Sequence, residues 1–128
     1  MLHSITDLLK VELGKDSISF LDSSCGDMFW MPEFLEQRSD VKYTGYDLAD
    51  GNIASNRDKH ANKGWSFKVN KAIFLVLTWF ILSFQQHDLV NDKITKSFDI
   101  ILTRHTMIHL YTTDAMRVLK NFYDSGSR

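Results

Sequence analysis

Ile18–Trp30, ISFLDSSCGDMFW, is the stretch that decides the fold of this chain. An apolar run ends in an acid, Asp22, and then passes through small residues and a glycine, Gly26. This order is typical of a buried strand that turns tightly into a helix around a bound ligand. The stretch therefore predicts the first strand of an α/β unit and the turn at which its ligand would lie.

A second acid follows the turn at the sequence spacing at which α/β units of this kind place a ribose-binding acid. Tyr43–Tyr46 is a second strand-like run, and it ends in Asp47. An acid about 20 residues past a glycine turn can accept hydrogen bonds from both hydroxyls of a bound ribose. The turn and the acid together predict a dinucleotide- or adenosyl-binding α/β unit.

The composition limits the classes of function. The 128 residues suffice for one domain, and 15 basic against 16 acidic side chains leave no electrostatic footprint for nucleic acid. The single cysteine, Cys25, allows no internal disulfide and fits a reducing compartment, so we expect a cytoplasmic protein. Charged side chains interrupt the N-terminus, which shows no basic-then-apolar targeting signal.

The rest of the chain alternates helix and strand patterns, which favours a parallel sheet with right-handed crossovers. Strands are predicted at Ile18–Leu21, Lys42–Tyr46 and Phe98–Thr103, the last a continuous apolar run that we expect to be buried on both faces. Helices are predicted over Ser4–Leu13, from an Asp27 cap to about Arg38, over Asn52–Asn62, and from a cap at Thr112 or Thr113 onward. In the first helix, the expected buried residues are Ile5, Leu8, Leu9 and Leu13.

Four landmarks occur in order along the chain. They are the glycine turn FLDSSCGDMFWM, the acid in YTGYDLA, QHDL at Gln86–Leu89, and FDIILTRHTMIHL at Phe98–Leu110. Together they resemble the class I S-adenosylmethionine-dependent methyltransferases over most of the chain. The resemblance implies a partial doubly wound, Rossmann-like, mainly parallel α/β sheet of about four strands, ordered 3-2-1-4. It also implies S-adenosyl-L-methionine as the cofactor and a methyl acceptor that the sequence does not identify.

The resemblance also implies which residues hold the cofactor. Asp22, Ser24 and Gly26 would form the turn at its methionine end, and Asp47 with Leu48 would bind the ribose side. Asp88 would accept a hydrogen bond from the adenine amino group, and Leu89 would pack near the ring. Arg104 would close the cofactor pocket or hold an acidic group of the substrate; a solvated arginine is the alternative.

Two histidines are the candidates on the acceptor side. His105 and His109 are four residues apart and could share a helix face beside the transferred methyl, as a base or an acceptor contact. The alternative for each is a surface or structural histidine. No HExxH pattern or third ligand is evident, so we expect no metal site.

The turn departs from the family's pattern, which is acid-x-Gly-x-Gly-x-Gly. Here the corresponding residues are Asp22, Ser24, Gly26 and Met28, so only the central glycine remains. Ser24 is small enough to allow a close backbone approach. Met28 is not, unless its side chain points away from the ligand.

An uncharged apolar run, Ala72–Phe84, does not fit the α/β pattern. It is short for a membrane span, so we expect no stable one, and a core element remains an alternative. Removing Val69–Gln85 would join Phe67-Lys68 directly to Gln86–Leu89, as one strand ending in Asp88. The ends of the segment are compatible with a retained in-frame intron. We therefore expect a single domain over 1–128 with a dispensable insert at 69–85.

The resembled fold has seven strands, whereas this chain supplies four. We therefore expect a truncated domain with weak or absent catalysis and an exposed edge on its last strand, which would favour self-association. Two other functions stay open: a non-catalytic truncated or misprocessed fragment, and an NAD-dependent oxidoreductase that uses the same turn and ribose acid. The missing G-x-G-x-x-G pattern disfavours the oxidoreductase.

Overall fold

Four parallel strands form the centre of the molecule, in a computed structural model that describes residues 1–69 and 89–127. The strands are β1 (Ile18–Asp22), β2 (Val41–Asp47), β3 (Ser66–Val69) and β4 (Ile100–Leu102). The α-helices are α1 (Leu2–Leu13), α2 (Met31–Glu36), α3 (Asp50–Lys59) and α4 (Thr112–Asp124), and single 3₁₀ turns span Ala61–Lys63 and Met107–His109. None of the helices in these two ranges is both long and apolar enough to cross a membrane.

The strand order is β3-β2-β1-β4, which confirms the predicted 3-2-1-4 arrangement of a Rossmann-like α/β sheet. Asp22 lies opposite Gly45 on one side and Leu102 on the other, and Asp47 lies opposite Val69. The carboxyl ends of β1, β2 and β4 therefore meet at one edge, where open parallel sheets bind their ligands.

Helices cover both faces of the sheet, because successive side chains of a strand point to opposite faces. On one face, Phe20 of β1 packs with a cluster that includes Met31 of α2 and Ile53 of α3. On the other face, Leu21 packs with a cluster that includes Val118 of α4. The two cores fix β1 at the centre and hold its end, Asp22, in place.

The predicted packing of two elements was wrong. In α1, Ile5 and Leu8 are 40% and 64% exposed, whereas Thr6 is buried, and its hydroxyl donates to the carbonyl groups of Leu2 and His3. β4 is half-buried along its length rather than buried on both faces, because it lies at the edge of the sheet that the described residues form.

Two predicted helix caps were also wrong. The Asp27 carboxylate accepts a hydrogen bond from the Phe29 N–H within the turn, and α2 begins only at Met31, with Pro32 in its first turn. α4 begins at Thr112 as expected, but no threonine side chain caps it.

The predicted insert at 69–85 overlaps the sheet by one residue. Val69, its first residue, is the last residue of β3. The remainder of the insert, the run Ala72–Phe84, and Asp88 lie outside the described residues.

Candidate functional site

A cavity of about 400 Å³ opens at the carboxyl edge of the sheet. Its volume lies within the range of about 300–1,000 Å³ that is typical of small-molecule sites. Four parts of the chain line it: the turn after β1, the end of β2, the residues before β4 and the segment after β4. The lining residues are Ser23, Ser24, Asp47, Leu48, Leu89, Val90, Arg104, His105, Thr106, His109 and Leu110. Most of the residues assigned from the sequence therefore line one cavity.

Gly26 forms the turn between β1 and α2. Its φ of 56° lies in the left-handed region, where glycine is favoured because a side chain would be strained. The Gly26 N–H donates to Asp47 Oδ2 at 2.8 Å, and the Gly26 carbonyl accepts from Asn56 Nδ2 at 2.8 Å. A Cβ on Gly26 would meet no atom within 4 Å, so the space beside the turn is open.

The Asp47 carboxylate is held in one orientation by backbone donors. Oδ2 accepts the Gly26 N–H, and Oδ1 accepts the Ala49 N–H at 2.8 Å. Oδ1 also accepts from Asn52 Nδ2 at 3.5 Å. A carboxylate offers about four acceptor sites, so Oδ2 retains a lone pair for a further donor. Asp47 is thus oriented by the protein and can still accept from a ligand hydroxyl.

Asp22 lies beneath the turn and is completely buried, so it does not line the cavity. Its carboxylate accepts hydrogen bonds from the Ser24 N–H and the Tyr43 hydroxyl, each at 3.4 Å. Burial raises the pKa of Asp22 to about 6, against the opposing effects of the Ser24 N–H and the positive charge of Arg104. Asp22 is therefore a carboxyl that changes protonation near neutral pH at the base of the turn.

The segment after β4 brings Arg104, His105 and His109 to the cavity. The Arg104 guanidinium lies 4.3 Å from the centre of the Trp30 ring, a cation–π contact. His105 has a φ of 58°, which is uncommon for a residue with a side chain. No group of three metal-ligating side chains that could hold an ion occurs within residues 1–69 and 89–127.

Met28 shows how the turn accommodates its departure from the glycine pattern. It keeps a glycine-like φ of 58°, but its side chain is only 2% exposed and packs in the same core cluster as Phe20 and Met31. The side chain therefore points away from the cavity, which is the condition under which the sequence allowed a methionine there.

Asn56 is a site residue that the sequence analysis missed. It is fully buried, and it holds the Gly26 carbonyl from α3. The available signal was its position three residues after Ile53, which places both on one helix face. The polar composition of α3 instead favoured a solvated helix.

Gly45 has a packing role that was also missed. A Cβ there would lie 3.0 Å from Cys25 Sγ, closer than side-chain atoms normally approach. The Cys25 N–H donates to the Tyr46 carbonyl at 2.9 Å, so the turn lies directly against β2. Burial is the main reason that the pKa of the Cys25 thiol is raised to about 12, which leaves the thiol protonated at neutral pH.

Comparison with known proteins identifies the fold. No family model and no curated protein matches the sequence. Among solved structures, the plantazolicin methyltransferase BpumL, in complex with a pentazolic desmethylPZN analog and SAH, is similar at 17% identity and a TM-score of 0.63, over 95% of this chain and 40% of that chain. An S-adenosylmethionine-dependent methyltransferase from Clostridium acetobutylicum matches at 16% identity and a TM-score of 0.63, over 98% of this chain and 44% of that chain.

A third similar structure is a TehB-like SAM-dependent methyltransferase from Corynebacterium glutamicum, at 18% identity and a TM-score of 0.60, over 92% of this chain and 54% of that one. The chain thus spans about two fifths to half the length of these structures. It has the Rossmann-like fold that these methyltransferases share.

Proposed function

We propose that this chain binds S-adenosylmethionine in the cavity at the carboxyl edge and takes part in methyl transfer to an acceptor. The observation that carries the proposal is the position of Asp47. Its carboxylate lines the cavity at the end of β2 and is oriented by the turn after β1. The fold adds support, since similar structures include the SAM-bound amino pentose methyltransferase CalS10 from Micromonospora echinaspora, at 17% identity.

The cavity lining supports one direction for the cofactor. Asp47 would accept from the ribose hydroxyls, and the apolar side chains of Leu48 and Leu89 would pack against the adenine ring. Ser24 and Arg104, which also line the cavity, would flank the methionine end. Asp88 remains a candidate for the adenine amino group, outside the described residues.

Three buried polar atoms have no hydrogen-bond partner among the described residues: Trp30 Nε1, Asn56 Oδ1 and Thr103 Oγ1. Trp30 precedes α2, Asn56 lies in α3 and bonds to Gly26, and Thr103 follows β4. Most buried polar groups are paired, so unpaired ones call for an explanation such as a ligand or an ordered water. None of the three residues lines the cavity, so these atoms are unpaired groups near the turn and are not proposed as contacts of the cofactor.

The chemistry asks mainly for positioning. When bound, S-adenosylmethionine supplies an electrophilic methyl group on a sulfonium. The protein must hold the acceptor's nucleophile in line with that methyl, an arrangement that contributes as much as about 7–11 kcal/mol in favourable cases. His105 and His109 are the residues that we propose to contact the acceptor, and either imidazole could accept a proton from it.

Calorimetric titration tests the cofactor assignment. The chain should bind S-adenosylhomocysteine, the demethylated product, more tightly than NAD. Asp47→Ala should weaken that binding, because hydrogen bonds to a charged group contribute about 1.5–3 kcal/mol each.

The matched control is Asp40→Ala, which removes a carboxylate that is paired with Lys10 and Arg38 and does not line the cavity. It should lower the melting temperature without changing the affinity. Tighter binding of NAD, or equal affinities in the wild type and Asp47→Ala, would refute the assignment.

A further inference from the structure

The turn after β1 is bonded to the segment after β4 through two serine hydroxyls. The Ser23 N–H and hydroxyl both donate to the Leu102 carbonyl, at 2.8 Å and 3.1 Å. The Ser24 hydroxyl donates to the Arg104 carbonyl at 2.8 Å and accepts from the Arg104 N–H at 3.0 Å. One side chain of the turn therefore holds both backbone polar groups of Arg104.

This link holds the backbone of the segment after β4, which lines the cavity. The Arg104 carbonyl also accepts from the Thr106 hydroxyl at 3.2 Å, so its peptide is held from two sides. The next residue, His105, takes its uncommon φ of 58°, and conformations of this kind persist only where the surroundings impose them. The guanidinium of Arg104 meanwhile lies over Trp30, beside the turn.

The identity of residue 24 decides whether the link exists. Glycine and alanine have no hydroxyl and could make neither bond to Arg104. A threonine keeps the hydroxyl, and with it one donor and the acceptor lone pairs that the contact needs. The serine thus stands at one of the pattern's glycine positions and adds a bond that glycine cannot form.

We propose that Ser24 is a positioning residue that couples the turn to residues 104–110, so that a ligand held at the turn also orders the wall facing the acceptor. The identity of the ligand rests on the proposed function. The hydroxyl link is a property of the free chain and can be measured without any ligand.

Amide hydrogen exchange, measured by NMR on the whole chain, tests the link directly. Without ligand, the Arg104 amide should exchange several-fold to about tenfold faster in Ser24→Ala and Ser24→Gly than in the wild type, because it loses its acceptor. Ser24→Thr should restore slow exchange. Ser23→Ala is the matched control: it removes a neighbouring serine hydroxyl but keeps both bonds to Arg104, so the Arg104 amide should exchange as in the wild type.

A second measurement adds saturating S-adenosylhomocysteine and tests the coupling. In the wild type and Ser24→Thr, protection should increase both at 25–28 and at 104–110. In Ser24→Ala and Ser24→Gly, it should increase at 25–28 and fall to less than half of the wild-type gain at 104–110. If Ser24 had only a structural role, its substitution would not change the gain in protection at 104–110 relative to the gain at 25–28.

The outcomes separate the two claims. Unchanged Arg104 exchange in both Ser24→Ala and Ser24→Gly, or a full gain at 104–110 in those variants, would overturn the proposal. If S-adenosylhomocysteine protects neither region of the wild type, the proposed cofactor and the coupling both fail, while the ligand-free comparison still shows whether Ser24 holds Arg104. Should Ser24→Ala not fold, Ser24→Gly, which restores a glycine of the family's pattern, gives the same comparison.

Discussion

At the scale of single residues, the buried carboxyl of Asp22 beneath the turn makes the stability of the chain depend on pH. It is completely buried, and burial raises its pKa from 3.8 to about 6. Between about pH 4 and pH 6 the folded chain keeps the proton that the unfolded chain has lost. Stability therefore falls as pH rises through this window and is constant above it. The shift corresponds to a cost of about 3 kcal/mol at pH 7.

Asp22→Asn should remove that cost. We expect the variant to be more stable than the wild type at pH 7.5, and the difference to shrink toward pH 4.5, in urea unfolding at a series of pH values.

Asp99→Asn provides a contrast. Burial acts to raise the pKa of Asp99, but hydrogen bonds from Lys15 and Ser19 outweigh it and lower the pKa, so this variant should lose stability at pH 7.5. An Asp22→Asn variant that is less stable than the wild type at every pH would contradict this account.

Met28 combines a strained backbone with a well-packed side chain. Met28→Gly and Met28→Ala both empty its place in the core, where removing a large side chain typically costs about 2–5 kcal/mol. Only alanine retains the strain of a left-handed φ, about 1–2 kcal/mol. We therefore expect both variants to be destabilised, with Met28→Gly the more stable of the two in thermal unfolding. The reverse order would show that the φ of 58° costs little.

The positions of Asp22 and Asp47 were predictable because each acid directly follows an apolar run, and parallel strands end at one edge. The side chains of Met28 and Ser24 were not. A pattern of glycine positions says where the backbone must turn, but it does not say that one side chain enters the core and the other bonds to Arg104.

At the scale of elements, α3 supports the turn through one buried side chain. Asn56→Ala would remove the donor to the Gly26 carbonyl and leave that carbonyl unpaired. We expect a loss of about 1–3 kcal/mol in urea unfolding, and weaker binding of S-adenosylhomocysteine because the turn is less well held. Asn62→Ala, which changes an exposed asparagine just beyond α3, is the control and should have neither effect. Equal effects of the two substitutions would exclude the proposed role of α3.

The boundaries of most elements followed from local signals, such as Gly14, which ends α1 in a left-handed conformation. The packed faces followed less well. Ile5 and Leu8 matched the helical period of α1, but tertiary contacts instead bury Thr6. The apolar run at Phe98–Thr103 could not reveal that β4 lies at the edge of the described sheet.

At the scale of the whole molecule, the segment 69–85 remains the main open prediction of the sequence. Its removal would place Gln86 after Lys68, at the register position that Val69 holds opposite Asp47. We expect the deletion variant to melt at a higher temperature and to scatter less light, because an uncharged apolar run promotes association. Lower solubility or a lower melting temperature than the full chain would show that the segment is part of the core.

The order of the sheet was the most predictable feature at this scale, because strand and helix patterns alternate and crossovers are right-handed. The acceptor was not predictable, and the residues that we propose to contact it, His105 and His109, are separate in the sequence from most of the cavity lining. Their shared cavity is visible only once β4 is placed beside β1.

We propose that the cavity at the carboxyl edge holds S-adenosylmethionine, and a crystal structure of the chain with S-adenosylhomocysteine would show whether it does. We expect the ribose hydroxyls within hydrogen-bond distance of the Asp47 carboxylate, the adenine against Leu48 and Leu89, and the methionine end beside Ser24 and Arg104. A ligand bound at another place, or an empty cavity in crystals grown with saturating ligand, would contradict it.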